Sequence, residues 1–492
     1  MVGCANVIGL NELAVQTQSA DAGAPGLACK VQSECEGAAI CRKQRCVALE
    51  SVDCTTITGD YRDENAIVIG SLFAFGGAQA GNSTARQNSA ILGVEEINRS
   101  GGVPQHSTSA NPRQLVLVSC DASANLLRAG RHLIEELGVP AIIGPNGSQD
   151  TLDLSRKLSV QAGTLVISPT ALAASVADLL DEGLTWQMVP NDRQRGPLMT
   201  LELQRMQREL RAARKLDVLK LGAVFRDDAL GIGTRTSLND LQLNDEPLAT
   251  AVSRGHALVE AYDLSSTDQR PIVQAFIELA PDLIVLAGTA EVVQNVMLPL
   301  ERGWPSDKPR PYYMLIDSVK GAELLEVVAA VPDVRRRIRG TGVTPSPRSK
   351  RVFDAFQLSY QLRFPNLATD IAGMGPTYDT TYAVAFALAA VHDQPLSGQT
   401  IAAGLRMLSG GPELELQGSN VLAGFSRLAM KQPISAIGTF GPLAWGANGS
   451  VLGGTLELWC IENDAGRLAF QSSGLTLDLA SGSLSGEYVQ CR

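Results

Sequence analysis

Short, uninterrupted apolar runs separated by stretches of helical periodicity most narrow what this chain can fold into. Ala66-Ile67-Val68-Ile69-Gly70, Leu115-Val116-Leu117-Val118, Ala141-Ile142-Ile143-Gly144 and Leu165-Val166-Ile167 are each bounded by turn residues. A half-exposed strand alternates polar and apolar side chains. A run without alternation reads as a strand covered on both faces, as in a parallel sheet. Helical periodicity follows at residues 85–97 and 122–137, then up to Gln161, and again from Ser168. The alternation resumes beyond Val189, with segments at 219–225, 231–243, 272–279, 283–287, 291–303 and 312–316. Strands and helices alternating over short loops predict doubly wound α/β architecture. Two such series predict two Rossmann-like lobes. After Leu443 the texture changes to hairpins, with a turn at Gly446-Ala447-Asn448-Gly449 and strands at 455–461 and 467–470.

Composition excludes several partners. The chain of 492 residues carries a net charge of -10, which argues against nucleic acid, because phosphate binding needs a cationic face. Its longest apolar stretch, residues 383–391, is far shorter than the roughly 18 residues that span a bilayer. The nine cysteines are more telling. Cys29, Cys35, Cys41, Cys46 and Cys54 crowd one short segment, Cys120, Cys460 and Cys491 are scattered, and Cys4 stands alone. The spacings do not match paired zinc knuckles, and so small a segment cannot bury a core of its own. Disulfides are the better reading, and they imply a compartment outside the reducing cytoplasm. Spacing leaves connectivity open; Cys29–Cys41, Cys35–Cys46, Cys54–Cys120 and Cys460–Cys491 are put forward as a guess. Met1-Val2-Gly3-Cys4 reads like the end of a lipobox, which makes Cys4 a candidate for lipidation and membrane attachment, although no basic and apolar leader precedes it.

In open α/β sheets, ligands bind past the carboxyl ends of strands, against helix N-termini. Three junctions have suitable residues: Gly144-Pro145-Asn146-Gly147-Ser148, Ser168-Pro169-Thr170-Ala171 and the stretch from Phe225 through Asp227 and Leu230 to Gly231. Each also reads as an ordinary helix start or solvated loop. Catalytic motifs are missing: there is no G-x-S-x-G elbow, no phosphate loop and no H-E-x-x-H, and no cofactor is predicted. His106, His132, His256 and His392 lie far apart and read as surface or core residues. Arg335-Arg336-Arg337 with Arg339 reads as a solvated helix end.

From about Ala66 to Phe470 the chain resembles the type I periplasmic binding proteins, specifically the Leu/Ile/Val-binding group. The marks are the strands and junctions above, residues 90–98 followed by Gly101-Gly102-Val103, and Pro376-Thr377-Tyr378-Asp379-Thr380-Thr381-Tyr382-Ala383. The resemblance implies two lobes joined by three crossings that close around a small solute. Composition and cysteine placement read as a tether over residues 1–28 and a disulfide-rich module over 29–60, and the resemblance implies a first lobe from 61–190 and 346–392. The second lobe would comprise 191–345 and 438–492, with a crossover region over 393–437. Ser148 and nearby amides would meet a ligand carboxylate, and the Ala171 region with Asp317 would meet its amino group. Phe75, Asn146, Gly147, Ser168, Thr170, Asp227, Leu230 and Thr289 would complete the cleft. The chain departs from the family pattern at Leu172, where a hydroxyl is usual, and at Leu230 and Thr289 or Ala290, where aromatics are usual. The resemblance implies a solute receptor serving an ABC permease; a surface receptor that senses without transport is the alternative.

Overall fold

In the computed structural model, which describes residues 26–76, 80–105, 112–266, 268–369 and 371–491, the continuous apolar runs are the middle strands of two sheets. Cys4, His106 and most of the expected tether lie outside the described residues. The first sheet runs Cys54–Thr58, Leu115–Asp121, Ile67–Phe73, Ala141–Ile143, Leu165–Ser168, Thr185–Gln187. Its last five strands are parallel, and Cys54–Thr58 pairs antiparallel at the edge. The second sheet begins with Ala257–Tyr262, Leu221–Arg226, Leu283–Ala287, Tyr312–Ile316 and Ile338–Thr344, all parallel. Antiparallel strands Thr455–Asp464, Arg467–Asp478 and Ser483–Ser485 extend it. In both sheets the earliest parallel strand lies between the next two in sequence. That is the switch point at which doubly wound sheets form a crevice beyond the strand ends. The strands buried on both faces are those whose sequences lack alternation, as for Ile67–Phe73.

The chain passes between the lobes three times. It leaves the first lobe after Thr185–Gln187, returns after Ile338–Thr344, and leaves again between Trp445 and Leu456. The last passage corrects the expected crossover region. Ile401, Leu405, Leu408, Leu416, Val421, Phe425 and Leu428 belong to the core of the first lobe. The cause is the helix Met374–Ala390, every residue of which is buried. A helix buried all round needs partners on every side. Ala80–Arg99, Gly398–Leu405 and Val421–Ala429 supply them. Close approach requires small residues: a Cβ on Gly404 would lie 2.4 Å from the Ala387 carbonyl, and one on Gly93 would lie 2.9 Å from the Thr381 methyl.

Four disulfides form, Cys29–Cys41, Cys35–Cys46, Cys54–Cys120 and Cys460–Cys491, the pairing put forward above. The cysteine-rich module is not free-standing. Ile40 and Leu49 pack with Val68, Leu72 and Leu133 of the first lobe, and Cys54–Thr58 is already part of its sheet. Asp53 pairs with Arg128 at 2.7 Å, and the buried His132 ring stands 3.0 Å from the Leu49 carbonyl. His132 is thus a core residue that joins module to lobe. The basic run differs from its expectation: Arg337 is buried against Glu301 at 2.7 Å, and Arg339 pairs with Glu202 at 2.7 Å. Buried Glu301 and Glu202 need cationic partners, which draws these arginines out of solvent.

Candidate functional site in the interlobe cleft

On the first lobe, the loop after Ala141–Ile143 is set by Gly144, at φ +105° and so close to the neighbouring strand that a Cβ would lie 2.4 Å from the Leu72 carbonyl. The cis Gly144–Pro145 bond leads into Asn146, Gly147 and Ser148. The Ser148 hydroxyl accepts hydrogen bonds from the Leu172 and Ala173 amides, both at 3.0 Å. Ser168 Oγ donates to the Pro145 carbonyl at 2.5 Å and accepts from the Ala171 amide at 3.0 Å. Thr170 Oγ1 donates to the Asn146 carbonyl at 2.9 Å. Three hydroxyls singled out from sequence therefore lash two adjacent loops together and shape the cleft wall. Ala171 is buried, and its carbonyl accepts from Gln187 Nε2. Phe75 packs half-buried on the first-lobe core, its amide donating to Asp121 Oδ1. Asn146 Nδ2 is buried and unpartnered.

On the second lobe, Asp228 caps the helix Ala229–Ser237 through the Leu230 and Gly231 amides and holds Arg226 Nη2 at 2.8 Å. Arg226 also stands 3.4 Å from Glu291 Oε1 and from Thr289 Oγ1. Thr289 donates its hydroxyl and amide to Glu291, and the Tyr262 hydroxyl donates to Glu291 Oε1 at 2.8 Å. Burial pushes the Glu291 carboxyl up, but Arg226 and the Thr289 bonds outweigh it and hold the carboxyl below its ordinary range. Burial drives the Tyr262 phenol far above its ordinary value. Asp227 is exposed, and its amide donates to the Tyr262 carbonyl at 2.8 Å, while Leu230 is buried in the second-lobe core.

The lobes meet through Leu152, Ala171, Ala173 and Val176 packed on Ala229, and the Asp192 amide donates to the Leu172 carbonyl at 2.7 Å. Beside this contact stand four charged groups. Arg195 Nη2 lies 2.7 Å from Asp317 Oδ1, an ion pair without hydrogen-bond alignment. Asp192 accepts weakly from Thr234 Oγ1 at 3.4 Å, and its other oxygen, Oδ2, is buried without a partner. Burial raises the Asp192 carboxyl to about 7 against the pull of Arg195. Arg86, 8% exposed, donates from Nε to the Ala372 carbonyl at 2.9 Å and forms no ion pair among the described residues. Burial lowers its guanidinium to about 10, opposed by the field of Asp317. Room for Arg86 depends on Gly373, at φ +90°, where a Cβ would lie 2.6 Å from Arg86 Nε and 2.5 Å from the Thr170 methyl.

The structure thus brings together Asn146, Ser148, Thr170, Ala171, Thr289 and Asp317 from the expected set. It adds Arg86, Asp192, Arg195, Arg226 and Glu291, which sequence reasoning missed. A signal existed for Arg86: it interrupts the small-residue face formed by Ala85, Ser89 and Ala90 in the helix Ala80–Arg99, where a charge is out of place. A hollow of about 450 Å³ lined by Glu96, Arg99, Tyr378 and Gln417 lies elsewhere on the first lobe, ten residues, or about 15 Å, along that helix from Arg86.

The sequence has no significant match to a protein-family model or to a curated protein. Solved structures do match. A leucine-binding protein LivK from Thermotoga maritima aligns with TM-score 0.59 at 13% identity, covering 83% of this chain and 98% of that one. The branched-chain amino acid transporter substrate-binding protein LivJ from Streptococcus pneumoniae, in complex with isoleucine, aligns with TM-score 0.57 at 18% identity, covering 83% and 99%. A solute-binding protein of an ABC transporter from Rhodopseudomonas palustris, in complex with p-hydroxybenzoic acid, aligns with TM-score 0.60 at 14% identity, covering 84% and 97%. Two doubly wound lobes, three crossings and a charged cleft at the strand ends, aligned over nearly the whole of these proteins, give this chain the fold of the type I periplasmic binding proteins.

Proposed function

We propose that the chain is a solute-binding protein that captures a small organic acid between its lobes outside the cytoplasm and passes it to an ABC permease. In this reading it is a carrier and not an enzyme. The observation that carries the reading is the set of buried, unpartnered polar atoms in one cleft: Asn146 Nδ2, Asp192 Oδ2 and Arg195 Nη1. Buried polar groups are nearly always paired, and leaving one unpaired costs about 1–3 kcal/mol, so such a cluster suits a polar guest. The leucine, isoleucine and p-hydroxybenzoate of the solved neighbours share a carboxylate, which supports an acid as the guest. Four disulfides support an oxidising location. A lipid on Cys4 would hold the protein at a membrane surface. The receptor alternative draws on the cysteine-rich module, which Cys54–Cys120 fastens to the first lobe as an added face that a shuttle does not need.

A thermal-shift screen of the oxidised protein against amino acids, aromatic and aliphatic acids, amides and sugars tests this. A ligand at a hundred times its dissociation constant stabilises the fold by roughly 2.7 kcal/mol. The expected result is a selective rise in melting temperature with acids, lost in Asn146→Ala. A flat response across the panel would count against solute binding and favour the receptor.

A further inference from the structure

We propose that the cleft selects an organic anion that lacks an amino group, and that Arg86 binds its carboxylate. This rests on the cleft being the solute site described above. Two features single out Arg86. The residue is more than nine-tenths buried, yet among the described residues its guanidinium's hydrogen bond runs from Nε to the Ala372 carbonyl and no carboxylate lies at ion-pair distance. A buried cation held by a single neutral acceptor is undercompensated, and an incoming carboxylate supplies the missing charge through a forked pair of hydrogen bonds. It is also held in place: Thr170 and Gly373 wall it on the first lobe, and the Asp317 carboxylate of the second lobe is near enough to act on it. Arg86 therefore stands where the first lobe faces the second.

The same geometry disfavours an ammonium group. A zwitterionic amino acid needs an acidic residue free to face its nitrogen. Asp317, the candidate by resemblance, already meets Arg195 at 2.7 Å, so an ammonium placed there would lie against a guanidinium. Asp192, the other carboxyl, is buried beside Arg195, and its unpartnered Oδ2 suits a hydroxyl or an N–H donor as well as a full charge. Arg226, Asp228 and Glu291 satisfy one another, and around Arg86 and Arg195 stand two carboxyls, one of which ionises reluctantly, so this corner of the cleft favours a net anion over a zwitterion. Asn146 Nδ2 stands ready as a further donor on the same wall as Thr170.

Titration calorimetry on the oxidised wild-type chain tests selectivity without any substitution, using two matched pairs: 4-hydroxybenzoate with 4-hydroxybenzamide, and 4-methylpentanoate with leucine. The expected result is that at least one acid binds at least tenfold more tightly than its uncharged or amino-bearing counterpart. Arg86→Met should weaken that acid at least tenfold and Arg86→Lys by less, with melting curves confirming that both variants fold. Leucine binding more tightly than 4-methylpentanoate, or equal binding of acid and amide, overturns the inference while leaving solute binding intact. So does a folded Arg86→Met that retains full affinity. Binding by none of the four probes counts against the solute-binding reading itself.

Discussion

Asp192 carries a charge at alkaline pH that the folded chain accommodates poorly, and Asp192→Asn measures how poorly. The side chain is 5% exposed, its Oδ2 has no partner, and burial lifts its pKa from 3.8 to about 7. That is a shift of about 3 units, and at 1.36 kcal/mol per unit the neutral and ionised limits differ by about 4 kcal/mol. The unfolded chain releases this proton near pH 4, whereas the folded chain keeps it until about pH 7. Stability from the neutral carboxyl is therefore complete below about pH 4 and is lost as pH rises to about 7. Between pH 8 and pH 5.5 acidification should return about 2 kcal/mol. Asn has nearly the same shape and cannot ionise, so the variant lacks this component. Asp379, also buried and raised to about 7, titrates in both proteins, and the difference between them isolates Asp192. Urea unfolding of both oxidised proteins at pH 5.5 and pH 8 reads it out. The wild type should gain about 2 kcal/mol more on acidification than Asp192→Asn. An equal gain in the two proteins refutes the reasoning, since it would mean that Asp192 titrates as if solvated.

Other consequences follow from packing and charge. Arg337→Met strips one of two arginines from Glu301, which also accepts from Tyr313, and should destabilise the second lobe by about 3–5 kcal/mol in denaturant unfolding; a loss under 1 kcal/mol would show that Arg310 alone suffices. Gly373→Ala forces a Cβ into a left-handed residue against Thr170 and Arg86 and should lower both the melting temperature and the affinity for any cleft ligand. Replacing Cys54 and Cys120 together by Ala opens a loop of 66 residues and should lower stability by about 4 kcal/mol at most, measured against the intact oxidised chain. Tyr382→Phe removes one of two phenol donors to the buried Glu96 and should cost about 1–3 kcal/mol, with no effect on the cleft.

Much of the fold was legible because burial on both faces of a parallel sheet leaves a local mark. Ile67–Phe73 and Leu165–Ser168 show it as runs without alternation, and no long-range information was needed to find them. The cysteine-rich segment was equally plain, since too few apolar residues lie there to hold it without cross-links. The interval 393–437 was not legible. Its helices are short and its role is set by the all-buried helix Met374–Ala390, whose need for partners does not specify which segments meet it.

The cleft divides along the same line. Asn146, Ser148 and Thr170 were singled out because strand-to-helix junctions can be counted along the chain, and Asp317 was singled out by resemblance. What their polar atoms do was decided by distance in space. Ser148, Ser168 and Thr170 turned out to bond neighbouring loops, and Asp317 to face Arg195 across 122 positions of sequence. Arg86 and Asp192 became candidates only when two lobes, each built from separate stretches of chain, brought their strand ends together. Sequence alone determined the main strands, their layering and the disulfide-bonded character of the chain, because these depend on local apolar pattern and cysteine content. Tertiary structure alone decided which charges in the cleft are paired and which are left open, because that depends on approach between residues the chain holds far apart.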